Sequence, residues 1–427
     1  MKLTLAYGHR GLPLDLDEQL FDPTVILPKD PPPHPQPHTA FLAAVRQPVA
    51  GPPLAELVRR KTPKRIAIAI ADHTRPVPDH LLVPWLVAEM GVPDDVVTIL
   101  IGTGTHRGST SAELERMLGP AANRFKIINH NCHEESEQRL VGKTSCGGES
   151  WLNRHWVEAD LRIATGFIEP HFYAGFSGGS KAISPGLSGL RTIRHFHRSA
   201  LIGHPGTTWG DVRTNPLQKL TRELASFCPP DMIVNVTLGL TKQITAVFAG
   251  EMIATHDAGC AVAIHEAMQP VSRRFPIVIT TNSGHPLDQN FYQTGKGISA
   301  ADRIVEPGGT IIAVSQCAAG LPAEGDFRAQ LVDPRPSDEL LRAIMATTHT
   351  RHDQWAVQTL LQCLARAEII LHSELSAADR VHTRTKHTDD IQATLRDLHA
   401  RHGGRRLPIA VLPMGPLTIP VLAQGCA

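Results

Sequence analysis

The loop at residues 169–181 holds the densest group of residues that could do chemistry: it reads Glu-Pro-His-Phe-Tyr-Ala-Gly-Phe-Ser-Gly-Gly-Ser-Lys. Glycine lacks a Cβ, so nearby backbone N–H groups can turn inward and approach an anion. Ser177, Gly178, Gly179 and Ser180 therefore predict a phosphate cradle with Lys181 at its edge. The loop is not a Walker A motif, because a serine precedes the lysine. An ordinary glycine-rich turn is the alternative interpretation.

Further polar side chains follow two earlier strand patterns. Asp72 and Arg75 come after one continuous apolar run, and His106 comes after the next. Such a run, bounded by charge, is typical of a strand buried on both faces of a parallel sheet. Ligands bind at the carboxyl ends of these strands. We therefore expect these three residues to converge with His171 and Lys181 at one edge of a sheet.

The elements that must position these residues alternate between strand and helix in both halves of the chain. This alternation predicts an α/β fold with parallel-type sheets. The 427 residues suggest two domains around an interdomain active-site cleft. We expect an N-terminal α/β domain over 1–271, which carries the glycine-rich loop, and a C-terminal α/β domain over 272–404. The strand-like tail at 405–427 is predicted to return to the N-terminal domain.

The composition argues against several classes of function. A net charge of +1 and an aromatic content of 5% argue against a nucleic-acid-binding surface. The seven cysteines form no CxxC pair, so neither a disulfide framework nor a zinc ribbon is expected, and a reducing cytoplasm fits. No signal-peptide pattern and no apolar run of membrane-spanning length are present. We therefore expect a cytoplasmic protein without a membrane partner.

The motifs, considered as a set, resemble the nickel-dependent lactate racemase family. The segments that carry the resemblance are Asp72-His-Thr-Arg-Pro76, Gly104-Thr-His-Arg107, the block at 169–181 with His197 downstream, Tyr292-Gln-Thr-Gly-Lys296 and Asp353-Gln-Trp355. The resemblance spans nearly the whole chain, and the Pro-His-Phe-Tyr-Ala-Gly block with its downstream lysine and histidine is its most specific part. Gly108 departs from the family pattern, in which a proline follows His-Arg, but it lies outside the implied chemistry.

The resemblance implies an isomerase that racemises or epimerises a small 2-hydroxy acid, with lactate as the default substrate. The implied cofactor is a nickel pincer nucleotide, a nicotinate-derived mononucleotide (pyridinium-3-thioamide-5-thiocarboxylic acid mononucleotide) that holds nickel through two sulfurs and a carbon. Lys181 would carry this cofactor through a thioamide, and His197 would supply the fourth nickel ligand. The implied partners are the substrate and the proteins that synthesise the cofactor.

The resemblance also implies roles for residues around the substrate. His106 and His171 would be the acid/base pair, and Asp72 would orient a group beside the cofactor. The residues implied in substrate binding are Arg75, Tyr292, Gln293 and Lys296. Our own inference from the loop is that the nucleotide phosphate would lie on the backbone of residues 177–180, which suits an anion.

These residue types suit the implied reaction, which removes hydrogen from a very weakly acidic carbon. Moving the hydrogen as hydride avoids a carbanion beside an ionised carboxylate and gives a planar 2-keto acid. Hydride returned to the opposite face gives the mirror product, so a second base is needed on the other side. Two histidines fit, because an imidazole pKa of about 6.5 allows proton transfer in both directions. Cationic side chains suit the carboxylate, and planar sulfur and imidazole donors suit nickel.

Two other functions stay open. The chain could be a non-catalytic binder or carrier of a nucleotide-derived cofactor, which would need neither His106 nor His171. Pyridoxal phosphate bound to Lys181 as a Schiff base is the third interpretation, but it leaves His197 and the second domain without a role.

Some of these residues also have structural interpretations. His195 competes with His197, and the family spacing of sixteen residues from Lys181 selects His197. Arg75 could be an ion-pair partner of Asp72 rather than a substrate ligand. The role of Arg75 depends on local geometry that spacing does not define.

Two further segments are better explained by a structural role than by a functional one. His130-Asn-Cys-His133 looks like a metal site but fits a turn after a strand. Trp355 fits a packing residue, with a place in the lining of a cleft as its alternative. Neither segment is expected to take part in the chemistry.

Overall fold

The computed structural model describes residues 1–322 and 325–423, and the chain divides into two compact units. The cradle unit comprises Asp30–His197 and Gly206–His265. The terminal unit comprises Met1–Lys29, Arg198–Pro205 and the chain from Glu266 onward. The end of the expected tail, with Cys426, lies outside the described residues.

The described residues form twenty strands and fifteen α-helices. The strands are β1 (Lys2–Leu5), β2 (Leu12–Asp15), β3 (Phe21–Val25), β4 (Ile66–Ala71), β5 (Val97–Gly102), β6 (Lys126–Asn129), β7 (Gln138–Lys143), β8 (Glu149–Asn153), β9 (Leu161–Phe167), β10 (Pro170–His171), β11 (Gly175–Phe176), β12 (Met232–Leu238), β13 (Ile244–Gly250), β14 (Met268–Val271), β15 (Phe275–Thr281), β16 (Val305–Val314), β17 (Glu368–His372), β18 (Lys386–His387), β19 (Leu407–Leu412) and β20 (Ile419–Leu422). The helices are α1 (Pro37–Arg46), α2 (Leu54–Lys61), α3 (Asp79–Met90), α4 (Ser111–Leu118), α5 (Arg154–Val157), α6 (Leu190–Phe196), α7 (Ser199–Ile202), α8 (Pro216–Ser226), α9 (Met252–Ala267), α10 (Phe291–Asp302), α11 (Phe327–Leu331), α12 (Ser337–Ala346), α13 (Gln354–Leu364), α14 (Ala377–Arg380) and α15 (Ile391–Arg401). None of the described helices is both long enough and apolar enough to cross a bilayer.

The cradle unit is built on a six-stranded sheet in the order β13-β12-β9-β4-β5-β6. Its strands are parallel except β13, which forms an antiparallel hairpin with β12. The central strand β4 is buried on both faces, as its apolar run predicts. Its isoleucines join the hydrophobic cluster that includes α3, while Ala67 and Ala69 pack in a second cluster around Trp156. Helices on both sides thus cover the sheet and leave its carboxyl edge to the loops.

Two helices of the cradle unit have caps that are typical of their residue types. Gly91 ends α3 in a left-handed conformation, with φ of 63°. Thr110 and Glu113 form a complete capping box at the start of α4, in which each side chain meets the other residue's backbone N–H. These local signals are sufficient because they need no distant partner.

The terminal unit contains a six-stranded sheet in the order β18-β17-β16-β15-β19-β3, with every pair parallel. The first and the last parts of the chain therefore meet in one sheet. The α/β class with parallel-type sheets is confirmed in both units.

The ends of the chain differ from the expected domain division. β19 does not return to the cradle unit, because its buried residues Ile409 and Val411 fill the position between β15 and β3. Residues 1–29 likewise belong to the terminal unit instead of an N-terminal domain over 1–271. Strand patterns predict that a strand exists, but which strands pair depends on contacts across hundreds of residues.

Candidate active site

Three loops at the carboxyl edge of the cradle-unit sheet carry most of the predicted residues. The ends of β4 and β5 lie side by side, with Ala71 opposite Gly102, and β9 flanks β4 on its other side. Asp72 and Arg75 therefore follow β4, and His106 follows β5. The loop after β9 carries His171 and Lys181. The parallel register thus puts these loops along one edge, as expected.

His106 is oriented by Asp72. The ring Nδ1 donates a hydrogen bond of 2.6 Å to Asp72 Oδ2, and the Thr74 hydroxyl and backbone N–H donate to Asp72 Oδ1. Burial of Asp72, which is 3% exposed, would raise the pKa of its carboxyl, but His106, Arg75 and Thr74 together hold that pKa well below its usual value. The carboxylate stays ionised, so in the neutral ring the proton is on Nδ1 and Nε2 carries the lone pair.

Arg75 contacts a carboxylate on a different loop. Its guanidinium lies 4.0 Å from Glu169, the first residue of the block after β9. Within the described residues Arg75 forms no ion pair with the Asp72 side chain, although its backbone N–H donates to the Asp72 carbonyl at 3.0 Å. The structural pairing considered from the sequence is therefore replaced by a contact that joins two loops of the site. Nothing in the spacing of Arg75 and Glu169 signalled this contact.

His171 is oriented by backbone instead of a carboxylate. It lies in the short antiparallel pair β10–β11, and its Nδ1 accepts hydrogen bonds of 3.2 Å from the backbone N–H groups of Tyr173 and Ala174. In the neutral ring the proton is therefore on Nε2. His106 and His171 thus have opposite tautomers, and one ring offers a lone pair where the other offers a proton.

His197 lies directly after the last residue of α6. Its Nδ1 donates to the Ile193 carbonyl at 3.1 Å, so in the neutral ring the lone pair is on Nε2. The ring centroid of Tyr173 lies 6.2 Å from that of His197 and 5.8 Å from that of His171. His195 instead lies 3.4 Å from the Cys146 sulfur. The structure therefore places His197, and not His195, beside the 169–181 block.

The glycine-rich loop has a backbone conformation that requires glycine at two successive positions. Gly178 and Gly179 have φ of 82° and 55°, which favour glycine, and a Cβ on Gly179 would lie 2.5 Å from the His256 ring. Lys181 lies in the single 3₁₀ turn Gly179–Ala182 that follows. The Ser177 hydroxyl donates to the Phe167 carbonyl and accepts from the Glu169 N–H, each at 3.0 Å. The serine side chain therefore closes the loop on itself.

Ser180 differs from Ser177. Its hydroxyl belongs to a residue that is 1% exposed, and it has no hydrogen-bond partner among the described residues. The side-chain nitrogen of Asn235, on β12, is likewise buried without a partner within the described part of the chain. Buried polar atoms without partners are rare in folded proteins. Two such atoms near one loop indicate a place suited to a further polar group.

Residues outside the motifs support the loop from behind. The Asn235 side-chain oxygen accepts from the Gly179 N–H at 2.8 Å, and His256 Nε2 donates to the Ser177 carbonyl at 2.9 Å. Arg222 donates to His256 Nδ1 at 3.2 Å and pairs with Asp257. Burial lowers the pKa of His256 to about 4, so the ring is neutral at neutral pH. Sequence reasoning missed this support; an asparagine inside the apolar strand β12 was the one available signal.

The remaining predicted residues lie on α10 of the terminal unit. Asn290 caps this helix by accepting from the Gln293 N–H, and Lys296 lies one turn further on. The Gln293 side-chain oxygen is buried and has no partner within the described ranges. Tyr292 accepts a hydrogen bond of 2.9 Å from Trp355, which is buried as a packing residue would be.

The described residues contain no group of three or more histidine, cysteine, aspartate or glutamate side chains that could hold a metal ion. His130 is buried and donates through Nε2 to the Ser188 carbonyl, while His133 is exposed. The structural interpretation of that segment is supported. A metal bound at His197 would need most of its ligands from another molecule.

Comparison with known proteins identifies relatives over most of the chain. The family models for the lactate racemase N-terminal domain and C-terminal domain match residues 7–210 and 272–419. The chain is 35% identical over 374 residues to a protein named lactate racemase from Lactiplantibacillus plantarum, which covers 86% of this chain and 87% of that protein. It is also 35% identical over 332 residues to a lactate racemase from Thermoanaerobacterium thermosaccharolyticum, over 77% of each chain.

Comparison with solved structures identifies the same family of relatives. The structure of the lactate racemase apoprotein from Thermoanaerobacterium thermosaccharolyticum matches with a TM-score of 0.91 and 29% identity, over 99% of this chain and 100% of that one. A protein from Thermotoga maritima shares the fold alone, with a TM-score of 0.67 and 18% identity over 87% of this chain and 96% of that one. The family expected from the motifs is confirmed: the chain belongs to the lactate racemase family, a family of isomerases.

Proposed function

We propose that this enzyme racemises or epimerises a small 2-hydroxy acid, with lactate as the first candidate. The observation that carries the proposal is the pair His106 and His171, held in opposite tautomers by Asp72 and by backbone N–H groups. A reaction that inverts a carbon centre needs a proton acceptor on each side of the substrate, one for each enantiomer, and each returns its proton in the reverse direction. The names of the relatives support the same class of reaction.

We further propose that the cofactor is a nickel pincer nucleotide joined to Lys181. The Ser180 hydroxyl and the cradle backbone would hold its phosphate, and His197 Nε2 would be the protein's nickel ligand. The buried, unpartnered Ser180 hydroxyl and the Nδ1–H of His197 directed at Ile193 support this fit. Because Gly179 N–H already donates to Asn235, it is excluded from the phosphate contacts. When bound, the cofactor supplies a reversible hydride acceptor.

The protein's own residues supply the proton transfers and the substrate contacts. His106 would take the substrate hydroxyl proton at Nε2, and the Asp72 carboxylate would stabilise the imidazolium that forms. His171 would serve the opposite enantiomer. Arg75 would bind the substrate carboxylate, in exchange for its contact with Glu169. We propose that Tyr292, Gln293 and Lys296 also bind the substrate.

The test combines intact mass, nickel content and a chiral assay. The chain is expressed with and without the cofactor biosynthesis proteins, beside Lys181→Ala and, as a matched control, Lys143→Ala on β7. We expect a mass gain equal to the cofactor, with nickel in proportion, in the parent and in the control but not in Lys181→Ala. Incubation of each enantiomer of a 2-hydroxy acid panel then identifies the substrate.

The outcomes separate the candidate functions. A mass adduct without racemisation of any panel member would favour a cofactor carrier. An adduct with the absorbance of a Schiff base that borohydride reduces would favour pyridoxal phosphate. No adduct and no nickel under any condition would overturn the proposed mechanism.

A further inference from the structure

A second polar pocket lies in the cradle unit, beside α6. It is a cavity of about 170 Å³ whose lining includes Cys132, Gln138, Trp151, Leu190, Arg191 and Arg194. None of these residues belongs to the candidate active site. At roughly 30 Å³ of liquid volume per water molecule, the cavity holds a ligand of several heavy atoms.

Arg194 is the unusual residue of this pocket. Its side chain is half-buried, and its Nε atom is buried without a hydrogen-bond partner in the described part of the chain. No carboxylate among the described residues lies within ion-pair distance of it, whereas its neighbour Arg191 pairs with Glu135 at 2.9 Å. A guanidinium carries five donors and no acceptor, so a half-buried one needs anionic or polar acceptors. Arg194 therefore lacks a partner that its surroundings should provide.

The other walls of the pocket do not supply this anion to Arg194, because Glu135, the carboxylate of the lining, pairs with Arg191 instead. Burial raises the pKa of the Cys132 thiol to about 11, so the thiol is protonated at neutral pH. The Gln138 side-chain nitrogen donates to the Cys132 carbonyl at 2.9 Å, which occupies that acceptor. Trp151 directs its indole N–H to Glu149 at 2.8 Å and contributes apolar surface, as does Leu190. The pocket thus combines one uncompensated cation with an apolar wall.

We propose that this pocket binds a small organic carboxylate, with its carboxylate on Arg194 and its apolar part against Trp151 and Leu190. The planar guanidinium fork suits two-point binding of a carboxylate. An inorganic anion would satisfy Arg194 but would leave the apolar wall against water. The site is additional to the substrate site and does not rest on the proposed function.

Calorimetric titration of the full-length protein with propanoate tests the proposal. The Arg75→Gln variant serves as the parent, because it removes the proposed carboxylate contact of the substrate site. We expect saturable propanoate binding in this parent and an affinity at least about tenfold weaker after Arg194→Gln is added. Arg194→Lys, which keeps the charge, should bind with intermediate affinity. Arg139→Gln is the matched control, since Arg139 pairs with Glu158 at 3.3 Å and is not part of the lining.

Several results would overturn the proposal. One is the absence of saturable binding in the parent, and another is an unchanged affinity after Arg194→Gln. Binding of neutral propanol as tight as that of propanoate would remove the role of Arg194. Binding of inorganic phosphate as tight as that of propanoate would remove the assignment to organic carboxylates. Equal melting temperatures of the parent and the Arg194 variants exclude misfolding as the cause of a loss.

Discussion

The two histidines of the candidate site are held by partners of different charge. His106 faces a carboxylate that stays ionised, whereas His171 accepts from two neutral backbone N–H groups. A carboxylate stabilises a protonated imidazole, and a pair of N–H donors directed at Nδ1 opposes protonation at that atom. The two directions of a racemisation would therefore start from unequal proton acceptors.

Asp72→Asn tests this arrangement. The variant keeps the shape of the side chain but removes the charge that stabilises protonated His106, so we expect racemisation to slow by about 10–100-fold. Initial rates are measured from each enantiomer, at equal cofactor occupancy by intact mass. Thr74→Ala, which removes a donor to Asp72 but keeps the carboxylate, should have a much smaller effect. Equal rates in Asp72→Asn and the parent would show that Asp72 has no role in proton transfer.

The sequence alone was sufficient to predict the positions of site residues that directly follow strands. It was insufficient to predict the residues that support the glycine-rich loop from other elements. His106, His171 and Lys181 lie where strand patterns and loop composition put them. Asn235 and His256 contact the same loop from positions 56 and 79 residues away, and no local pattern encodes such a contact. The tautomers of the histidines also depend on partners that only the fold brings together.

At the scale of elements, the glycine-rich loop combines two separable constraints. Gly179 has a left-handed backbone, and a Cβ at this position would also clash with the His256 ring. Gly147 has a φ of 86°, but a Cβ added there would meet no atom within 4 Å, so it shares the first constraint alone. Comparison of alanine substitutions at Gly147 and Gly179 therefore separates the cost of backbone strain from the cost of the steric clash.

Gly147→Ala should destabilise the protein by roughly 1 kcal/mol, from backbone strain alone. We expect Gly179→Ala to lose about 1–3 kcal/mol more, because the new methyl group displaces His256 or the loop. Chemical denaturation measures both. Cofactor occupancy by intact mass should fall in Gly179→Ala and remain at the parent level in Gly147→Ala. Equal losses of stability in the two variants would argue against a steric role for His256.

Helix α3 makes a contribution to the stability of the fold that depends on pH. Its first residue, Asp79, is buried and accepts from the Thr165 hydroxyl at 2.6 Å, and burial raises the pKa of its carboxyl to about 7. The folded protein thus binds this proton more tightly than the unfolded chain, whose aspartate pKa is about 3.9. The contribution of Asp79 to stability is therefore full below about pH 4 and declines as the pH rises towards 7.

Asp79→Asn removes this titration because a side-chain amide does not ionise. The amide oxygen can still accept the hydrogen bond from Thr165 at any pH. We expect the parent to lose more stability than the variant between about pH 5 and pH 8, by a few kcal/mol at most. Thermal unfolding at the two pH values measures the difference. Exposed Asp95 is the matched position, and Asp95→Asn should follow the parent. A parallel pH dependence in Asp79→Asn and the parent would contradict the raised pKa.

The elements themselves were largely predictable, and their pairing was not. The hairpin of β12 and β13 connects strands close in sequence, and such a pairing can be read from the two strand patterns and the short connection between them. β19 was predicted as a strand, but its neighbours β15 and β3 lie more than a hundred residues away. Alternating or continuous apolar patterns give a strand its faces, whereas its place in a sheet is decided by the whole set of strands.

At the scale of the whole molecule, the N-terminal segment is a structural part of the terminal unit. Four of its apolar side chains, Leu5, Leu14, Leu16 and Phe21, are buried in one cluster with β15 and β19. At about 1.5–3 kcal/mol for each buried side chain, their loss amounts to roughly 6–12 kcal/mol, comparable to the stability of a whole domain.

Deletion of residues 1–29 should therefore abolish cooperative unfolding of the terminal unit, because it also exposes the edge of β19. Calorimetry would show the lost transition. Phe21→Ala alone should lower the free energy of unfolding by about 3–5 kcal/mol and preserve the transition. A deletion variant with the parent's thermogram would show that the segment is dispensable.

The path of the chain also limits how relatives can be recombined. The chain leaves one unit for the other after Lys29, His197, Pro205 and His265, so no single cut separates the two. A chimera that joined residues 1–271 of one parent to the remainder of another would inherit an intact cradle unit and a hybrid terminal unit. Its β3 and β19 would come from different parents. Exchange of the cradle unit as an insert, with both flanks from one parent, would keep all the strands of each six-stranded sheet from a single parent.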